Sequence, residues 1–136
     1  MIKGVGIDLV NVERFNAWAT FSRDRLLKTF THHEVDYSLS ERELASDRFA
    51  ARFAAKEAFF KALCSYLGMM PCQLSLILSS VEVLQEPNRA PILRLDYTKL
   101  NQLIEPNSLP DLYAHLSISH EKGLAIAFVV LEASDR

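Results

Sequence analysis

The segment from Arg48 to Leu63, RFAARFAAKEAFFKAL, allows few folds. Its alanines and unbranched side chains make it a strong helix former, and it has little polar surface. Turned by about 100° per residue from Phe49, it puts Phe53, Phe60, Leu63, Cys64 and Leu67 on one face, with Lys56 among them and Glu57 at the edge. The opposite face is Ala50, Ala51, Ala54, Ala55, Ala58 and Ala62. A solvated face would carry charges, whereas an alanine face lets another backbone come close. This helix is therefore expected to be buried on nearly all sides. Ser46 or Asp47 offers the N-cap, and Gly68 stops the helix after Leu67, with Pro71 soon beyond.

Around this helix the chain reads as strand, helices, then strands. VGIDLVNV (Val5 to Val12) is dense in β-branched residues and predicts a buried strand with Asp8 as its one charge. VERFNAWATF and SRDRLLKTF predict short helical segments, and THHE (Thr31 to Glu34) and SERE (Ser40 to Glu43) each fit a capping box. SLILSSVEVLQE and ILRLDY, separated by PNRAP, predict a hairpin, and NQLIEPNSLPD a loop. LYAHLSIS and LAIAFVVLE flank HEKG, which predicts a second hairpin. That order favours α+β, a mainly antiparallel sheet with a long central helix, in a single domain over residues 1–136.

Composition narrows the function classes. At 49% hydrophobic and 24% charged, the 136 residues suit an ordinary globular protein. The apolar run Leu124 to Leu131 is far shorter than the ~20 residues of a membrane span. No signal-peptide pattern follows Met1, and Cys64 and Cys72 have no metal spacing, so a reduced cytoplasmic protein off the membrane is expected. The net charge of −2 argues against bulk nucleic-acid binding, but residues 1–30 carry five basic and three acidic side chains. That basic face is suited to an acidic partner, the alternative being a solvated helix surface.

The buried charges carry the chemistry. Lys56 and Glu57 in the helix, and Asp8 in the first strand, are expensive unless paired or bound to something. Glu57 and Lys61 are four apart, but such a pair adds only about 0.2–0.5 kcal/mol to an isolated helix. A snorkelling Lys56 with a surface Glu57–Lys61 pair is the purely structural alternative. If strand and helix pack together, Asp8 and Glu57 converge. Two carboxylates repel each other unless a hard cation lies between them, and oxygen ligation completed by substrate phosphate and water suits Mg²⁺. Lys61, one turn on, would face the same phosphate. The chemistry implied is phosphoryl transfer by charge neutralisation and positioning.

GIDLVNVERF, FTHHEVDY, RFAARFAAKEAFFKAL and LSISH, in that order, resemble holo-acyl carrier protein synthase, the small single-domain branch of the 4′-phosphopantetheinyl transferases. The resemblance implies transfer of 4′-phosphopantetheine from coenzyme A to a serine of apo-acyl carrier protein, releasing adenosine 3′,5′-bisphosphate. It implies Asp8 and Glu57 as Mg²⁺ ligands, and Lys61 beside the pyrophosphate. For coenzyme A it implies Arg52, Asn88, Pro91, Ser117, Ser119 and His120, and for the carrier protein Arg14, Arg23, Arg25 and Lys28. It also implies a homotrimer with shared active sites, which would bury the alanine face and the C-terminal strands. Arg89-Ala90-Pro91 stands where the family often has Gly-Lys-Pro, and Cys64 where it often has glycine. Glu57, acting through a metal-bound water, is the first choice for the base that deprotonates the acceptor serine, and Asp8 the second.

His32-His33-Glu34 is read as solvated first-turn residues rather than a zinc site, because adjacent helical residues point apart. Phosphate loops of the Walker type, Rossmann glycines and nucleophile elbows do not occur. The rival readings are another Mg²⁺-dependent phosphoryl-transfer or phosphodiester-cleaving enzyme, and a non-catalytic oligomeric binding module.

Overall fold

A computed structural model describes residues 1–104, 109 and 111–133. Strand β1 (Ile2–Asn11) passes through 3-10 turns at Val12–Phe15 and Trp18–Thr20 into helices α1 (Arg23–Leu26) and α2 (His32–Leu39). A turn at Arg42–Leu44 precedes the long helix α3 (Ala45–Leu67). Then come α4 (Leu74–Ile77), a turn at Leu78–Ser80, the hairpin β2 (Val81–Leu84) and β3 (Ile92–Leu95), and α5 (Tyr97–Leu103). The hairpin β4 (Leu112–Glu121) and β5 (Leu124–Ala133) completes the described chain. The architecture is α+β, and the described strands pair antiparallel in a three-stranded sheet, β1-β5-β4, and a two-stranded one, β2-β3. Among the described residues no helix is long and apolar enough to cross a membrane.

Helix α3 lies on the inner face of the three-stranded sheet, and the reason is size. Alternate residues of β1 face it, and those nearest its C-terminal half are Gly4 and Gly6. A Cβ on Gly4 would sit 2.1 Å from the Ala62 carbonyl oxygen, and one on Gly6 1.9 Å from that of Ala58. Glycine on the strand and alanine on the helix bring two backbones together. The alanine face is thus buried within the chain, with Ala50, Ala54, Ala55, Ala58 and Ala62 fully inaccessible. A neighbouring subunit is not needed to cover it, which corrects the expectation drawn from the resemblance. The other side of α3 joins an aromatic cluster of Phe15, Trp18, Phe30, Phe49 and Phe53.

The helix ends where glycine permits, with Gly68 left-handed at φ 69°. It begins earlier than Ser46, at Ala45, because the 3-10 turn before it runs straight in. Thr31 and Glu34 form the expected capping box, whereas the Ser40–Glu43 box does not form: Arg42–Leu44 coil into the 3-10 turn and no side chain caps it. The alternation in SLILSS proved misleading. Leu74, Ile77 and Leu78 are also spaced three and four apart, and helix with a 3-10 turn wins there, burying Ile77 and Leu78. The predicted loop NQLIEPNSLPD is helical through Leu103, and residues 105–108 and 110 lie outside the described residues. Both predicted hairpins form, the first from β2 and β3 alone.

Candidate active site

Strand β1 alternates Gly4, Gly6 and Asp8 inward with Val5, Ile7 and Leu9 outward, so the residue that follows the two glycines is delivered against α3. Asp8 is 6% exposed. Its Oδ1 accepts from Lys61 Nζ at 3.1 Å, and the same ammonium reaches the Ile7 carbonyl at 3.1 Å. Lys61 therefore pairs with the strand rather than with Glu57 on its own helix. Asp8 Oδ2 is buried and has no partner.

Glu57 completes the cluster from α3, near enough to Asp8 for the two carboxyl groups to act on each other. Burial, then the neighbouring Asp8 carboxyl and its charge, push Glu57 up to about 7, against opposition from Lys61 and Arg14. Asp8, Glu57 and Lys61 thus meet as expected from the sequence. The donor set is two carboxylates, one with a buried unpartnered oxygen; the described residues hold no group of three or more His, Cys, Asp and Glu that would ligate a metal by themselves. Such a set fits a hard dication that takes its remaining oxygens from substrate and water.

A cavity of about 500 Å³ opens near the N-terminal half of α3, lined by Arg48, Arg52, Tyr37, Gln85, Pro91 and His120 among others. Arg52 is 4% exposed and its Nε is buried without a partner. Its guanidinium lies 4.1 Å from the Tyr37 ring centroid, and that of Arg48 lies 4.3 Å from the same ring. Burial lowers the Arg52 pKa, but an arginine keeps its charge, so this cation calls for an anion. Arg52 precedes Glu57 by five residues, roughly 7.5 Å along the axis. One helix therefore presents a guanidinium-lined cavity and, further on, a carboxylate pair with its lysine.

Of the sequence-predicted nucleotide residues, Arg52, Pro91 and His120 line the cavity. Asn88 is exposed in the β2–β3 turn, where it takes a left-handed φ of 60°, and does not line the cavity. Ser117 and Ser119 do not line the cavity within the one chain. The pleat turns them to the outer face of the sheet, beside Phe128 and Ile126, while Ile118 and His120 face the cavity. Arg14 is exposed, its guanidinium 5.2 Å from the Phe53 ring, and its charge acts on Glu57. Arg25 and Lys28 are exposed too, whereas Arg23 is engaged by Asp36 at 2.9 Å and by His32.

Lys56 does not snorkel. It is fully buried and paired with Glu34 at 2.6 Å, and burial lowers its pKa while Glu34 opposes the shift. Arg48, Tyr37 and Gln85 went unassigned in the sequence. Arg48 carried one legible signal, its spacing of four from Arg52 on a helix.

The fold and site define a protein suited to a phosphate-bearing substrate, with a carboxylate pair of which Asp8 is buried and Glu57 half-buried, and two arginines stacked on one tyrosine. Residues 4–129 match the family model of the 4′-phosphopantetheinyl transferase superfamily, and the chain belongs to that superfamily. The holo-[acyl-carrier-protein] synthase of Treponema denticola is 38% identical over 97% of this chain and 99% of its own length. That of Geobacter metallireducens is 40% identical over 97% and 98%. Among solved structures, a complex of ACPS with CoA from Chronobacterium ammoniagenes superposes with a TM-score of 0.76 at 28% identity, covering 96% of this chain and 97% of that one.

Proposed function

We infer that this chain transfers 4′-phosphopantetheine from coenzyme A to a serine of an apo-acyl carrier protein, as a single cytoplasmic domain over residues 1–136 requiring Mg²⁺. The observation that carries the reading is the meeting of Asp8, Glu57 and Lys61, with Asp8 Oδ2 buried and unpartnered, in a member of this superfamily. Asp8 and Glu57 would hold the cation, which when bound neutralises pyrophosphate charge.

The residues themselves do the rest. Arg52 and Arg48 offer guanidinium donors to the nucleotide's phosphates, and Pro91 and His120 close the cavity around it. Lys61 Nζ, already poised on Asp8, donates to the leaving side of the pyrophosphate. The acceptor serine hydroxyl attacks the phosphorus that bears the pantetheine arm. The bond from that phosphorus to the bridging oxygen breaks, and adenosine 3′,5′-bisphosphate leaves with it. Glu57, ionised, takes the serine proton on a carboxylate oxygen; Asp8 is the second choice. Exposed Arg14, Arg25 and Lys28 present positive charge to the acidic carrier, with Arg14 closest to Glu57.

A homotrimer fits the outer sheet face. Val5, Ile7, Leu9 and Phe128 are each 43% exposed or more, and Ser117 and Ser119 lie among them. A second copy covering that face would bring those serines near a neighbour's site. The decisive experiment incubates the protein with apo-carrier protein, coenzyme A and Mg²⁺ and reads the carrier's mass. A gain of one phosphopantetheine, lost in Asp8→Asn and Glu57→Gln, is expected. Coenzyme A cleavage without transfer would favour a phosphodiester-cleaving enzyme instead.

A further inference from the structure

Lys56 is fully buried one residue before Glu57. Its Nζ meets the Glu34 carboxylate at 2.6 Å, the Leu78 carbonyl at 2.8 Å and the Thr29 carbonyl at 3.0 Å, which uses every donor an ammonium has. Glu34, equally buried, accepts from the Thr31 amide at 2.9 Å on one oxygen and from the Val83 amide at 2.8 Å on the other. The start of α2, helix α3, the turn before β2 and β2 itself are thereby joined at one ion pair.

Stability does not account for this arrangement. Buried pairs are often no better than apolar residues of the same volume, and often worse. Directed bonds do supply orientation. On the sheet side, α3 presents a nearly uniform alanine face to glycines, which sets how close helix and strand come but gives little purchase against rotation. A rotation of 20° would move a side-chain tip by roughly 2 Å at the helix's outer radius. A misplacement of about 1 Å is enough to cost about 100-fold in turnover.

We propose that the Lys56–Glu34 ion pair is a positioning device that fixes the rotation of α3 and so holds Glu57 against Asp8. The inference rests on the functional reading of Glu57 given above. Lys56 and Glu34 act through Glu57 and touch neither substrate nor metal.

The test uses the full chain with Glu34→Gln and Lys56→Met together. Glutamine can still serve the capping box, and methionine fills the lysine's place without charge. Two readouts are taken below the unfolding midpoint: Mn²⁺ binding followed by electron paramagnetic resonance, without coenzyme A or carrier, and steady-state transfer with Mg²⁺. Mn²⁺ affinity and kcat should each fall about 10–100-fold, with KM for coenzyme A little changed. A folded double variant with native Mn²⁺ affinity and native kcat would overturn the proposal, leaving the pair a structural link only. Should the double variant not fold, Glu34→Gln alone keeps both carbonyl bonds of Lys56, and the same pair of outcomes decides. Unmodified protein that neither binds Mn²⁺ nor transfers the arm would defeat the functional reading itself. An active native protein with an equally active variant would defeat only the positioning role.

Discussion

Replacing Gly6 with alanine tests whether the site is set by backbone contact. The new Cβ would lie 1.9 Å from the Ala58 carbonyl oxygen and 2.6 Å from the Ala62 amide nitrogen. Both are backbone atoms of α3, so no side chain can turn aside. Restoring an ordinary separation of about 3.5 Å requires strand and helix to part by about 1.5 Å. Overpacking of this kind costs about 1–3 kcal/mol, and a clash with backbone belongs at the upper end. At about 3–4 °C per kcal/mol for a chain of this size, the unfolding midpoint should drop by about 10 °C. Asp8, two residues along the same strand, would retreat from Glu57 and Lys61, and transfer should fall about 100-fold. Thermal circular dichroism and the carrier mass assay measure the two effects, with the outward Val5→Ala as control. A midpoint within about 2 °C of native, together with native turnover, would refute the claim that glycine–alanine contact sets the site.

Glu57 is held near 7, above its ordinary 4.5, chiefly by burial. The folded state then binds more protons than the unfolded one between those values, so metal-free protein should lose stability as pH rises from about 4.5 to about 7 and level off above. Denaturant titrations in chelator at pH 5 and 8 should show this decline in the native protein and not in Glu57→Gln; parallel declines would contradict it. Arg52→Ala should weaken coenzyme A binding about 10–100-fold, the value of a charged hydrogen bond, as read by calorimetry. If copies associate as the proposed trimer through the outer apolar face, sedimentation should show a trimer for the native protein and a monomer for Phe128→Asp, and a variant that sediments as the native protein does would mean that copies do not meet on this face.

The central helix and both hairpins were legible because periodicity and punctuation act locally. The convergence of Asp8 with Glu57 was legible for a different reason: an aspartate in an apolar strand and a glutamate in an apolar helix each lacked a local partner. What stayed hidden was the partner of Lys56. Glu34 reads in sequence as a first-turn glutamate of a capping box, which is usually wet, and nothing local says that its carboxylate turns inward. SLILSS fitted two periods at once, and tertiary burial of Ile77 and Leu78 chose between them. Ser117 and Ser119 were assigned with His120 as one strand end, although alternation along a strand must send them to opposite sides.

Strand β1 carries two unrelated sets of instructions on its two sides: glycine, glycine, aspartate toward the helix, and valine, isoleucine, leucine toward the exterior. A slip of β1 by one residue along β5 would exchange them, pressing branched side chains against the alanines and stranding the carboxylate outdoors. The reading frame of this one strand is therefore as much a part of the catalyst as any side chain in it, and its register is not free to drift.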